Sequence, residues 1–438
     1  MAKKQEHIWP EFTAEMRKTH TILIPNMCSI HFELLKNVFL NHGYNVELLT
    51  STGREIVDEG LKYVHNDTCY PALLCIGQMM DALHSGKYDL DRVALIMTQT
   101  GGGCRASNYI HLLRKALEAD GLGHIPVISI STQGLEKHRG FKFTIPMLRH
   151  SLASLAYGDL LMLLSNQCRP YEVSTGETDS LVNSWVTELA EMFRNGAAYS
   201  RKEMQKVMKT VAASFAEIKR EVRDVIKVGI VGEIYVKYAP LANNNLEKFL
   251  ASQGCEVMVP GLMGFLLYCM DNPIEDIDLY GGSKISRAIW SYIAKFLRSY
   301  ENMVLKSTEL QEMFVVPWPH EKLFEVGKSV IGGGCKMGEG WLLTAEMVEL
   351  ISHGYKNIVC AQPFGCLPNH IVGKGMIRKL RELYADANIV AIDYDPGATR
   401  VNQENRIKLM LAIARENLQD FRQMPDYLPS SNLQEVVV

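Results

Sequence analysis

Two short runs far apart in the chain are chemically alike: Gly101-Gly102-Gly103-Cys104-Arg105 and Gly332-Gly333-Gly334-Cys335-Lys336. Each is a glycine triplet, then a thiol, then a cation. Glycine reaches backbone angles closed to other residues and lets another group approach the main chain closely. A cysteine on such a turn can face something bulky, and the adjacent Arg or Lys favours its thiolate. Two more thiols sit on shaped loops: Cys69 in Asn66-Asp67-Thr68-Cys69-Tyr70-Pro71, and Cys366 in Gln362-Pro363-Phe364-Gly365-Cys366-Leu367-Pro368-Asn369-His370. Four thiols on Gly- or Pro-shaped loops read as a cluster site, with Gly101, Gly102, Gly103 and Arg105 beside the bound group.

The thiols divide by setting. Cys104 has the glycine triplet before it and a cation after it. Cys69 stands just before a helix, whose N-terminus stabilises a thiolate. Cys366 lies between two prolines on a loop leaving a strand. These three are the first candidates for metal ligands. Cys28, Cys335 and Cys360 form a second set, whereas Cys75, Cys168, Cys255 and Cys269 read as core or surface residues. The spacing shows neither the paired C-x₂₋₄-C knuckles of structural zinc nor the compact C-x₂-C-x₂-C run of ferredoxins. Scattered cysteines fit a group held in a cleft between domains, and three thiolates on an iron–sulfur cluster leave one iron open. Catalytic zinc follows the same open-position logic, so spacing leaves zinc and iron both standing.

Other motifs have plainer readings. Gly229-Ile230-Val231-Gly232-Glu233 lacks the third glycine of a dinucleotide fingerprint and reads as a tight strand-to-helix turn. Gly373-Lys374-Gly375 lacks the spacing of a phosphate-binding P-loop. Asp393-Tyr394-Asp395-Pro396-Gly397 reads as a turn at a strand exit. His65 and His370 read as loop-stabilising neighbours of the thiols. Glu339 and Glu346 flank Trp341 on a helix, where a solvated or capping role is expected.

The elements that must carry these loops alternate. Apolar strands are expected at 21–25, 46–49, 93–97 and 125–130, with helices at 31–41, 71–85 and 107–119 between them. Gly43 ends the first helix and Pro71 opens the second. After a charged helical stretch at 172–223 the pattern restarts: strands at 228–232, 256–260, 357–360 and 388–393, helices at 246–252 and 402–418. Such alternation predicts an α/β fold with two Rossmann-like parallel-sheet domains and a cofactor cleft between them. The expected division is a lead-in (1–20), a first α/β domain (21–171), a helical connector (172–225), a second α/β domain (226–418) and a loose tail (419–438). Cys104 and Cys366 each follow a strand, where sites in open α/β sheets form.

At 438 residues the chain exceeds what one core usually fills. A formal net charge of -3 argues against a nucleic-acid partner and gives no membrane signal. No apolar stretch follows the charged start, and no run of about 18 uncharged apolar residues appears, so neither a signal peptide nor a membrane span is expected. The expected location is cytoplasmic. In that reducing setting ten cysteines point to metal or redox chemistry rather than disulfides.

The motifs from His65 to Pro71, Thr98 to Arg105 and Gln362 to His370 resemble the 2-hydroxyacyl-CoA dehydratase family. They are most similar to the C-terminal region of the large CoA-substrate-specific enzyme activases, as are Gly232-Glu233-Ile234-Tyr235 and 393–397. The similarity extends from about Phe12 to about Ala414. It implies two Rossmann-like domains around a [4Fe-4S] cluster held by three cysteines, matched by motif to Cys69, Cys104 and Cys366. Some relatives carry a double-cubane [8Fe-9S] cluster on six cysteines, for which Cys28, Cys335 and Cys360 are the further candidates. The family's chemistry implies an ATP-hydrolysing activase that injects one low-potential electron. The cluster passes it to an acyl-CoA thioester or another hard-to-reduce small substrate. Unlike the large activases, this chain has no room for their ATPase domains, so the ATPase is expected on a separate chain. A homodimer is expected from the relatives. A true 2-hydroxyacyl-CoA dehydratase subunit and a non-catalytic zinc-binding or scaffold module are the alternatives.

Overall fold

The computed structural model describes residues 9–100, 103–130 and 138–423, with side chains up to 418. Gly101 and Gly102 lie outside the described residues. The expected tail is helical as far as Gln423 and otherwise lies outside them too.

Eight short apolar segments become strands. β1 (Thr21–Pro25), β2 (Asn45–Leu49), β3 (Val93–Thr98) and β4 (Val127–Ile130) form one sheet in the order β2-β1-β3-β4. β5 (Ile226–Gly232), β6 (Cys255–Met258), β7 (Asn357–Pro363) and β8 (Asn388–Tyr394) form another in the order β6-β5-β7-β8. Every pairing is parallel, as in Thr21↔Val93 and Val228↔Asn357. The near-continuous burial of β3 and β7 is what a parallel sheet covered on both faces demands. The two Rossmann-like parallel sheets are thus as expected. In each, the strand order reverses between the first and third strands. Ligands of open α/β sheets seat beyond the strand ends at such a reversal.

One apolar core joins the two sheets, with Leu23 and Leu95 of the first and Val228, Ile230 and Val359 of the second in the same cluster. The helix Ile145–Cys168 spreads its apolar residues around its whole circumference and is almost entirely buried from Ser151 onward. It ties the halves together. The Asp159 carboxylate accepts the Leu262 and Met263 N–H groups at 2.7 and 2.9 Å, at the start of the helix Leu262–Tyr280. Gln167 accepts the Val315 N–H at 2.7 Å. Helices Glu177–Arg194 and Arg201–Ala216 fill the stretch expected to be helical, the second opened by a Ser200/Glu203 capping box. The lead-in is not merely polar: Phe12 is fully buried with the first sheet's outer core. Among the described residues no helix is long and apolar enough to cross a membrane.

Candidate functional site

Cys69, Cys104 and Cys366 are placed by the same local device. Cys69 is the N-cap of the helix Tyr70–His84, Cys104 of the 3₁₀ turn Arg105–Asn108, and Cys366 of the helix Leu367–Val372. Pro71 and Pro368 preset the first helical turns, where a missing N–H costs nothing. The N–H groups left free at each helix start favour the thiolate form of the sulfur, from Ala72 at Cys69, Ala106 and Arg105 at Cys104, and Asn369 at Cys366, although none closes a capping hydrogen bond. Gly365, at φ +75°, turns the chain from β7 into the Cys366 loop. All three thiols are half-buried.

The three also share their electrostatic surroundings. The carboxyl of Glu233, the residue that follows β5, acts on every one of them, and Glu339 acts on Cys104 and Cys366. Cys69 and Cys104 feel each other. Cys104 and Cys366 therefore stand beyond the third strand of each sheet, beside the two strand-order reversals. The two glycine runs meet as well. A Cβ on Gly103 would strike the Met337 side chain, and one on Gly338 would strike Pro368. The 332–339 loop thus lies between the Cys104 and Cys366 loops.

Glu233 and Glu339 are missed by sequence reasoning. The second was expected in a solvated or capping role: Glu339 does stand at the N-cap of the helix Gly340–Ser352, but the solvated reading is corrected, since Glu339 and Glu346 are both buried. Glu339 accepts Ile234 N–H at 2.9 Å and Asn369 Nδ2 at 2.7 Å, one on each oxygen. Burial, together with the Glu339 charge, raises Glu233 well above the ordinary carboxylate range, and burial raises Glu339. With Glu339 held as an acceptor at both oxygens, the proton of the pair belongs on Glu233. Gly232 permits this contact between elements, since a Cβ there would run into the Ala361 carbonyl.

Burial pushes Cys69 up to about 11 despite the Tyr109 hydroxyl 2.9 Å from its sulfur. Burial also raises Cys104, and burial with the Glu339 and Glu233 charges raises Cys366. These thiols stay protonated until a cation replaces their protons. Among the described residues no three Cys, His, Asp or Glu side chains are close enough to hold a single metal ion. Hydrogen-bond donors to the sulfurs are in place, including Asn369 Nδ2 at 3.6 Å from Cys366 Sγ.

The second set of thiols is dispersed. Cys335 is half-buried on the loop between the two sites of contact, its carbonyl accepting Trp341 N–H at 2.7 Å. Cys360 is fully buried within β7, near Gly373. Cys28 caps the helix Ser29–Asn41 and meets His31 Nδ1 at 2.8 Å, while His31 Nε2 meets Asp159 Oδ1 at 2.8 Å. Burial opposes the His31 charge, but Cys28 and Asp159 raise it to about 10. Cys28 is therefore part of a Cys–His–Asp row pinned between the sheets. Arg105 is exposed at the mouth of the site, and Lys336 pairs with Asp276. His370 Nδ1 bonds the Cys366 carbonyl at 3.0 Å, and Asp395 accepts the N–H groups of Gly397 and Ala398, as a loop support and a strand-exit turn should. The chain matches no protein-family model and no curated protein.

Proposed function

We propose that this chain is a cytoplasmic iron–sulfur electron-transfer or reductase component, fed by an ATP-hydrolysing activase on a separate chain. Its acceptor is a small, hard-to-reduce substrate such as an acyl-CoA thioester. One observation carries the reading: N-cap thiols from both halves of the chain, Cys69, Cys104 and Cys366, gather around the Glu233 carboxyl, with Glu339 beside Cys104 and Cys366. When bound there, a [4Fe-4S] cluster supplies one-electron reduction at an iron that three thiolates leave open.

The chain's own residues have separable jobs. Cys69, Cys104 and Cys366 anchor. Tyr109 and Asn369 donate toward two of the sulfurs and tune them. Glu233 holds a proton beside the thiols, where a substrate gaining an electron needs one. Exposed Phe364, Leu367, Ile371 and Met337 rim the Cys366 loop, and this apolar rim supports docking of the ATPase partner. Homodimer formation belongs to the same reading.

Anaerobic purification tests it. A brown protein with about four irons and four sulfides per chain is expected, or about eight irons for a double cubane. A colourless, iron-free protein refutes it, and one zinc per chain favours the scaffold alternative. Dehydration of a 2-hydroxyacyl-CoA would instead mark a true dehydratase subunit.

A further inference from the structure

A second cavity lies away from the three thiols, between the helices Ile145–Cys168, Leu262–Tyr280, Lys284–Glu309 and Gly340–Ser352. Its empty space, open solvent at the mouth included, is about 810 Å³. The walls are apolar, from Met258, Val304, Leu305, Pro317 and Leu350, with Trp318 among them. Four carboxyls also line it: Asp159, Glu301, Glu346 and Glu349. A ligand site of this shape is defined by which of its few polar groups lack a partner.

Two of the four are already compensated. Asp159 is bonded by two backbone N–H groups and by His31. Glu346 is paired with the buried Lys237 ammonium at 3.1 Å. The other two are not. Glu349 is 5% exposed and accepts the Trp318 N–H at 2.5 Å, yet no cation among the described residues pairs with it. Glu301 accepts the His320 N–H at 3.1 Å, and its Oε2 is buried without any hydrogen-bond partner. The nearby cations act on the two acids through space, Arg298 on Glu301 and Lys322 and Lys237 on Glu349, but their direct pairs lie elsewhere. Arg298 pairs with Asp271 and Glu321, and the Lys322 ammonium lies over the Trp318 ring at 3.7 Å. Burial and the Lys322 charge lower His353, so it stays neutral at pH 7.

We propose that this cavity binds an organic ammonium, a primary amine carried on an apolar body, held between Glu301 and Glu349. An ammonium carries three donors and can serve more than one carboxylate, and charge-assisted hydrogen bonds are the strong ones. The apolar walls take the body of the ligand. An anionic ligand would gain nothing from ionising the two acids, so the cavity is distinct in chemistry from a site for an acyl-CoA. Protonation state agrees with this geometry. Burial pushes both Glu301 and Glu349 up to about 8, the first also through the Glu321 and Glu349 charges. Without ligand both are neutral at pH 7, and a bound cation makes them ionise.

Proton release is therefore the signature of binding. Metal-free protein is titrated calorimetrically with n-hexylammonium chloride at pH 7, in two buffers of different ionisation heat. Binding with release of about one to two protons per ligand is expected. n-Hexanol, of the same length but uncharged, should bind at least about tenfold more weakly. Glu349→Gln keeps an acceptor for the Trp318 N–H; it should weaken hexylammonium about tenfold and remove about one of the released protons. No binding of hexylammonium at millimolar concentration, binding without proton release, or equal affinity for hexanol overturns the proposal. The comparison of the two ligands on the unsubstituted protein decides it even where a variant folds poorly.

Discussion

Glu349 also sets how the stability of the protein depends on pH. It lies on the buried face of the helix Gly340–Ser352, with Glu346, Lys237 and Lys322 as its charged neighbours. Burial first, then the Glu346 charge, raise its carboxyl from 4.5 to about 8, although the Trp318 N–H and the two lysines pull the other way. The folded-state value lies above the unfolded one. The contribution to stability is therefore whole below about pH 4.5, drains as pH rises toward 8, and is gone above that. A difference of this size corresponds to a few kcal/mol, on the order of 4–5, across the window. Glu349→Gln removes the charge and keeps the acceptor for Trp318. At pH 5 the variant should match the parent protein within about 1 kcal/mol. At pH 9 it should be the more stable of the two by a few kcal/mol. Urea unfolding of the metal-free protein, followed by circular dichroism from pH 5 to 9, measures this difference. A constant gap between the two proteins across the window refutes the reasoning. So does a parent protein that gains stability from pH 5 to 8.

Three further outcomes are expected. Cys69→Ala, Cys104→Ala and Cys366→Ala should each lose most bound iron. Cys255→Ala and Cys269→Ala should keep it at a packing cost of about 1 kcal/mol, and equal loss in all five by metal analysis would mean unfolding instead. Arg105→Gln should keep fold and iron but lower the cluster's reduction potential, because a nearby cation favours the more negative, reduced state; matching potentials in anaerobic redox titration would remove Arg105 from the site. Lys237→Met leaves Glu346 buried and unpaired and should cost about 3–5 kcal/mol in chemical denaturation. The double change with Glu346→Leu should recover most of that, and strict additivity of the two single changes would contradict the pairing.

Sequence determined whatever is decided within a turn or two of chain. The strands were legible because β1, β3, β5, β7 and β8 are short apolar runs with glycine or a thiol loop at their ends. So were the N-cap positions of Cys69 and Cys366, since Pro71 and Pro368 mark a helix start locally. The helix Ile145–Cys168 was not legible: from Ser151 onward it is buried on nearly every side, and without a continuous polar face the 3.6-residue period carries no signal. Cys28 and Cys69 look alike in sequence, each preceding a helix. Only the fold brings Asp159, 128 residues from His31, to complete the row that holds Cys28. Glu339 and Glu346 carry the same lesson. A glutamate is exposed by default, and nothing near it in the chain says otherwise. Their burial follows from the packing of the helix Gly340–Ser352 against the second sheet. There Glu339 meets Ile234 from 105 residues away and Glu346 meets Lys237 from 109. Which carboxyls face the thiols, and which face the cavity without a counter-ion, depends on long-range chain path, and that path exists only once both sheets have closed on one core.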